Sequence, residues 1–338
     1  MNRYSRKQAY QLLKLSIHEL GQKAAQVRFE LHSNKAYYIY NQHLNYTNIC
    51  KNKCKFCAYF KQTDDPKAYV YSLEKIAQEI QKNTETSEVH IVGGLNPDLD
   101  LSYYQEMLAL IKSIRPEIKI KAFTAVEIAF LAEKHHLSPE QVLIKLKKAG
   151  LDCLPGGGAE VFDPSLRQTL CPEKLPAQKW LQIHRLAHEL GIPTNCTLLF
   201  GHIESWEQRL DHLQALRDLQ DQTNGFLCFI PLPYQPQNNP LNANGPDGLD
   251  FLQMIAVARL FLDNIKHIKT YWTFAGIKPS QLALWFGADD FDGTLVEEKV
   301  GHAAGATTPK GLTIQELKNY ITQAGFVPQE RDTFFNPK

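Results

Sequence analysis

No charge of either sign dominates this 338-residue sequence, in which 37 Lys and Arg stand against 36 Asp and Glu for a formal net charge of +1. Nucleic-acid binders usually carry a basic excess over the phosphate backbone, so no nucleic-acid partner is expected. No apolar run approaches the roughly 18 residues of a membrane span. The opening stretch MNRYSRKQAYQLLKLSIHEL has neither the short apolar block nor the small-residue cleavage site of a secretory signal. A cytoplasmic protein without membrane association is expected. No repeat at a period of roughly 20–50 residues is visible. Cysteine is sparse and odd in number, at positions 50, 54, 57, 153, 171, 196 and 228. With 43% hydrophobic residues available for a core, that pattern argues against a disulfide framework.

What is present is an alternation of capped helices and short apolar runs. Capping boxes, in which a Ser or Thr accepts from the backbone three residues on and a Gln or Glu reaches back, are read at Ser102–Gln105, Ser138–Gln141, Ser205–Gln208 and Thr313–Glu316. Gly150, Gly191 and Gly325, each before an apolar residue, mark helix ends. Between the helices lie eight runs too short for helices, at 36–40 continuing to 49, 89–92, 118–123, 153–154, 194–200, 226–231, 268–274 and 282–286. Buried parallel strands read this way. Eight βα alternations predict an α/β fold, a (β/α)8 TIM-like barrel over residues 36–306, with a partly open barrel as the alternative. Residues 1–35 are expected as a helical extension and residues 307–338 as a capped helix and extended tail packed on the barrel. The stretch 231–249, PLPYQPQNNPLNANGPDGL, is too rich in Pro, Asn and Gly for a regular element and predicts a long loop at the barrel's active face.

The most specific chemical signal is Cys50-Lys-Asn-Lys-Cys54-Lys-Phe-Cys57. Each of its thiolates can hold one iron of a 4Fe-4S cubane, which normally takes four cysteines. With no fourth cysteine close by, one iron is left open to a small molecule carrying an amine and a carboxylate. The alternative is a zinc-stabilised binding module without turnover, its closed site completed by His43 or a distant cysteine. Lys51, Lys53 and Lys55 either offset cluster charge and dock an acidic electron donor or are plain solvated loop lysines. Cys153, Cys171, Cys196 and Cys228 sit in apolar surroundings and read as buried small hydrophobes.

The spacing C-x3-C-x-Φ-C, with Phe56 as the aromatic, resembles the signature of the radical S-adenosylmethionine (SAM) superfamily. That resemblance implies a 4Fe-4S cluster on Cys50, Cys54 and Cys57 whose open iron chelates the methionine end of SAM. It also implies that Phe56 and the turn Gly93-Gly94 lie against that cofactor. Glu160, after three successive glycines, is free on this reading to accept from a ribose hydroxyl, and Gly201 and His202 sit at the mouth of the fifth strand. More narrowly, the stretches HLNYTNICKNKCKFCAYF, HIVGGLNPD, KAFTAVEI, GLDCLPGGGAE, LLFGHIESWEQRLDHL and GADDFDGTLVEEK resemble the aminofutalosine synthases of the futalosine route to menaquinone. Members of that branch add the 5′-deoxyadenosyl radical of SAM to 3-[(1-carboxyvinyl)oxy]benzoate, giving 6-amino-6-deoxyfutalosine, methionine and carbon dioxide or bicarbonate. The likeness implies flavodoxin or ferredoxin as electron donor. Substrate contacts are expected among His202, Thr124, Tyr234, Gln235 and Tyr271, with His202 and Thr124 as candidates for a catalytic role. Asn96 stands where His is common after Gly-Gly-Leu, and Tyr234 precedes Gln-Pro where Phe is more frequent. Sibling cyclic dehypoxanthine futalosine synthases and deazaflavin synthases are the alternatives within the superfamily.

Overall fold

Short β-branched and apolar runs separated by capped helices cannot bury themselves alone, and in the computed structural model, which describes residues 3–338, they close around one another. The strands are β1 (Lys35–Ile39), β2 (Asn41–Leu44), β3 (Glu88–Ile91), β4 (Lys119–Ala122), β5 (Thr194–Phe200), β6 (Phe226–Pro233), β7 (His267–Ile268), β8 (Asp290–Gly293) and β9 (Val327–Glu330). They form three small parallel sheets, β8-β1-β9, β2-β3-β4 and β5-β6-β7. Parallel bridges Lys121↔Cys153, Leu154↔Thr194, Lys269↔Asp290 and Gln42↔Val296 tie the sheets to one another. The result is a TIM-barrel-like α/β ring whose strands all end at one face, and loops at that face carry function in such folds.

Two expectations are corrected. Residues 282–286 are not the eighth strand: the helix Ile277–Ala283 runs on into the 3-10 turn Leu284–Phe286 and stops at Gly287, whose φ is +112°. The strand is β8, whose sequence Asp-Phe-Asp-Gly reads as a turn but is held as a strand because its inward carboxylates are ion-paired. Asp290 pairs with Arg331 and Asp292 lies 2.8 Å from Lys269. The tail lies on the ring, where β9 pairs along Lys35–Tyr38 of β1. The seventh run shrinks to two residues before the helix Trp272–Ala275.

β6 extends through Pro231 and Pro233, which a strand interior normally rejects because proline has no N–H. Phe229 O accepts from Lys269 N, and Tyr234 N donates to Phe200 O. Pro231 and Pro233 therefore face the side on which β7 has already ended, and no ladder bond is lost. Ser138, Ser205 and Thr313 cap their helices with both halves of the box, whereas Ser102 lies inside the helix Leu101–Ile114, whose cap is Asp100.

At the opposite end of the ring, Asp289 gathers the strand starts. It accepts from Ile268 N at 2.7 Å, lies 2.6 Å from His267 Nδ1 and pairs with Arg259. Arg259 in turn donates to Gly287 O at 2.7 Å. All of these side chains are buried.

Candidate active site

The C-terminal ends of the strands open into a cavity of about 320 Å³. The loop after β2 contributes Cys50, Cys54, Phe56 and Cys57 to its lining, and the turn after β3 contributes Gly93 and Gly94. Thr124, Glu160, Tyr234, Gln235 and Tyr271 complete the set of sequence candidates in the lining. Gly201 and His202 are not part of it.

Backbone bonds to three separate segments hold the cysteine loop. Cys50 N donates to Lys61 O, Lys51 N to Leu95 O and Lys55 N to Leu170 O, while Cys57 N closes a turn onto Cys54 O at 3.0 Å. Burial pushes the Cys57 thiol up to about 11 and raises Cys50, whereas a hydrogen bond from Cys171, aided by Lys174, brings Cys54 down to about 7. Sequence reasoning took Cys171 for an inert core residue. It is buried, yet it sits against Cys54, and nothing in its spacing signals that.

The donor set suits an iron–sulfur cluster better than a lone zinc. Tetrahedral zinc with bonds near 2.3 Å draws its sulfurs to about 3.8 Å of one another. Among the described residues, the set whose potential ligand atoms fall within 4.8 Å of one another is His32, His267 and Asp289, not the three cysteines. Thiolates that each hold a different iron need the wider spacing. That set adds His32, 3.6 Å from Asp289, to the ion-pair hub already described, whose carboxylate is taken by Arg259.

The glycine turn is a packing joint. A Cβ on Gly94 would collide with the Ile49 carbonyl and crowd Cys50, and one on Gly93 would enter the Tyr46 ring. Gly94→Ala is therefore expected to displace the cysteine loop at a cost of about 1–3 kcal/mol. Iron content after reconstitution and the rate of SAM cleavage should fall together, both readable by iron assay and chromatography.

Glu127 links this turn to the next helix. It accepts from Tyr46 Oη at 2.9 Å, Gly93 N at 3.3 Å and Thr124 N at 2.7 Å, and burial pushes its carboxyl up to about 7 against those bonds. Thr124 is the cap of the helix Ala125–Lys134, its hydroxyl 3.0 Å from Glu127. The Thr124–Glu127 capping box was the signal that would have found Glu127.

Glu160 is not free. Lys174 pairs with it and also lies 5.3 Å above the Phe56 ring. Its φ of +49° is a left-handed conformation rarely adopted outside glycine and asparagine. The loop candidates are likewise engaged: Tyr234 Oη donates to Asn239 at 2.6 Å, and the Gln235 amide donates to Pro233 O and Phe274 O at 3.0 Å each. The His202 side chain is fully buried, with Nε2 3.1 Å from Leu199 O and Nδ1 2.9 Å from Glu204. Gly201, at φ +82°, packs on Pro246 of the long loop. Both residues thus shape the mouth from outside the cavity, and the His202 ring meets Tyr234 edge-on at 6.2 Å. Asn96 is buried and accepts from Asp98 N.

Sequence reasoning named His43 only as a possible zinc ligand and missed the rest of the cavity's polar floor. His43, His90, Lys121 and Lys269 all line it, with Lys121 2.8 Å from Glu88 and Lys269 2.8 Å from Asp292. Inside a barrel these residues alternate with apolar outward neighbours, so each looks like an ordinary polar residue on a half-buried strand.

A TIM-barrel-like ring with a three-cysteine loop at the C-terminal face defines a class, and the comparisons agree on it. The radical SAM superfamily model matches residues 44–216, and the model described as the CofH/MqnC C-terminal region matches residues 223–338. Methylornithine synthase (PylB) superposes with a TM-score of 0.77 at 19% identity over 97% of this chain and 94% of its own. The hydrogenase maturase HydG from Carboxydothermus hydrogenoformans gives 0.79 at 17% over 99% of this chain and 78% of its own. The chain belongs to the radical SAM superfamily of enzymes, whose members use a 4Fe-4S cluster and SAM.

Within it, the chain is 42% identical over 316 residues to the aminodeoxyfutalosine synthase of Thermus thermophilus, covering 91% of this chain and 85% of that protein. It is 40% identical over 318 residues to the 5-amino-6-(D-ribitylamino)uracil–L-tyrosine 4-hydroxyphenyl transferase of Archaeoglobus fulgidus, covering 93% and 92%. Among the described residues no helix is long and apolar enough to cross a membrane.

Proposed function

We propose that this enzyme is an aminofutalosine synthase, joining the 5′-deoxyadenosyl group of SAM to 3-[(1-carboxyvinyl)oxy]benzoate with loss of carbon dioxide or bicarbonate. The carrying observation is the 42% identity to the Thermus thermophilus enzyme along nearly the whole chain, which takes in both the cysteine loop and the cavity floor. On this reading Cys50, Cys54 and Cys57 are the three protein ligands, and one iron stays open for the methionine end of SAM. The bound cluster, reduced by a flavodoxin or ferredoxin, supplies the electron that cleaves SAM.

The chain's own residues do the rest by position. Phe56, Gly93 and Gly94 form the wall beside the cysteines, and Glu160, held by Lys174, faces the same space. Leu199, Ile230 and Leu232 give an apolar side that suits a flat arene and keeps water from a radical. Thr124, Tyr234, Gln235 and Tyr271 line the same space, and the His202 ring meets Tyr234 from outside it, next to Gly201.

A second reading has its own support: the 40% identity to the Archaeoglobus fulgidus transferase makes tyrosine and a ribitylaminouracil the alternative substrates. The test is an anaerobic incubation of reconstituted protein with SAM, a strong reductant and either substrate set, read by mass spectrometry. Aminofutalosine from the benzoate and nothing from the tyrosine mixture is the expected result, and the reverse pattern replaces the first reading with the second.

A further inference from the structure

The floor of the cavity holds polar groups that the structure leaves without partners. His43, His90 and Lys121 are Cα partners in register on β2, β3 and β4, each one residue before its strand ends. All three line the cavity. The two imidazoles lie 4.6 Å apart, centroid to centroid, at an interplanar angle of 59°. His43 is 5% exposed, and both of its ring nitrogens are buried with no hydrogen-bond partner, as is Nε2 of His90. Among the described residues His43 is the one histidine with both ring nitrogens buried and unpartnered.

A neutral imidazole carries one N–H and one lone pair, and a buried polar group left unpaired costs about 1–3 kcal/mol. Such groups on a cavity floor are recovered when a ligand reaches them. The acids facing this place are already matched: Glu88 by Lys121 at 2.8 Å, Asp292 by Lys269 at 2.8 Å, and Glu298 by His302 at 2.8 Å. The unmatched capacity is therefore a pair of adjacent N–H donors beside a lysine, which is what a carboxylate with two acceptor oxygens needs.

We infer that His43 and His90 anchor the ring carboxylate of the substrate. This rests on the aminofutalosine synthase reading, whose substrate carries one carboxylate on the arene and another on the enol ether. The arene carboxylate survives the reaction, so a fixed hold on it leaves the reacting double bond free. β2 runs from His43 into the loop that carries the cysteines, so a ring carboxylate at the floor turns the enol ether toward the cysteine wall. The arene then lies along Leu199, Ile230 and Leu232.

The test measures binding by equilibrium dialysis to the reconstituted holoenzyme with SAM and no reductant. The ligands are 3-[(1-carboxyvinyl)oxy]benzoate and 2-phenoxyacrylate, which lacks only the ring carboxylate. His43→Ala and His90→Ala are each expected to weaken benzoate binding about tenfold, equivalent to about 1.4 kcal/mol, with iron content and SAM binding unchanged. His43→Asn, which keeps a donor, should recover part of the loss. Wild-type protein should bind 2-phenoxyacrylate weakly, and the alanine variants should weaken that no further, because the interaction removed is already absent. Equal losses for both ligands, or unchanged benzoate binding in the variants, overturn the anchor while leaving the proposed reaction standing. Wild-type protein that binds neither ligand removes that reaction and the anchor with it.

Discussion

Cys54→Ala should yield a protein that retains no iron–sulfur cluster and cleaves no SAM. Its thiol is buried in the loop whose Cys50 and Cys57 line the same cavity, and two thiolates cannot replace three in holding a cubane. The brown colour, the iron content and the formation of methionine should disappear together. Two controls give the result its meaning. Cys196→Ala changes a buried thiol in β5 whose hydrogen bond goes to Cys228 O, so cluster content should stay normal. Cys171→Ala removes the buried thiol beside Cys54 and should also keep the cluster if three cysteines suffice. Loss of iron in the Cys171 variant would make it a fourth ligand and close the site to SAM, and normal iron in Cys54→Ala would remove the cysteine assignment altogether.

The second large effect is on stability. Asp289→Ala should lower stability by about 3–5 kcal/mol, the range seen when one member of a buried ion pair is removed. Arg259 would be left charged and fully buried, and Ile268 N would lose its acceptor. Thermal melting should shift down by about 4–7 °C, while a variant at the exposed Arg6–Asp211 pair should barely move, as surface pairs contribute little.

The same hub makes the fold sensitive to acid. Burial pushes His32 down to about 4 despite the attraction of Asp289. Burial also opposes the Asp289 charge, yet His32, His267 and Arg259 hold that carboxyl well below its usual range. Both folded-state values are depressed, so both contributions are complete above the unfolded-state values and are lost as pH falls. Stability should decline from about pH 6.5 toward 4 as unfolded His32 gains a proton, and should continue to fall below that as unfolded Asp289 is protonated. A pH series of melts checks this, and a flat profile between pH 6.5 and 4 would contradict it.

The parts of this molecule that announce themselves in sequence are those where chemistry forbids substitutes. Three cysteines at C-x3-C-x2-C have few other uses, and the helix starts at Ser138, Ser205 and Thr313 follow from hydrogen bonds that any isolated helix would make. The fourth run, residues 153–154, forms only isolated parallel bridges, though Gly150 and the glycines after Pro155 bracket it as the sequence suggests. What stayed hidden depends on partners distant in the chain. β8 looks like a turn until Lys269 and Arg331 neutralise its carboxylates, while the apolar 282–286 run is drawn into helix by the segment before it. Glu160 looked free because its partner, Lys174, is fourteen residues away across a loop. His202 attracted attention by its place at a strand end, but its ring is folded back onto Leu199 O and Glu204. His43 and His90 become a pair only through the register of β2 with β3, which no single stretch of sequence displays.

The account stands or falls on what becomes of the adenosyl group, since addition and hydrogen abstraction part at that step. SAM deuterated at the 5′ carbon, supplied with 3-[(1-carboxyvinyl)oxy]benzoate and reductant under anaerobic conditions, makes that fate visible by mass spectrometry. The expected result is a product that retains adenine and both deuterium atoms, formed one for one with methionine and with no matching release of 5′-deoxyadenosine. Release of 5′-deoxyadenosine in step with methionine, with no adenosyl-containing product, would contradict it.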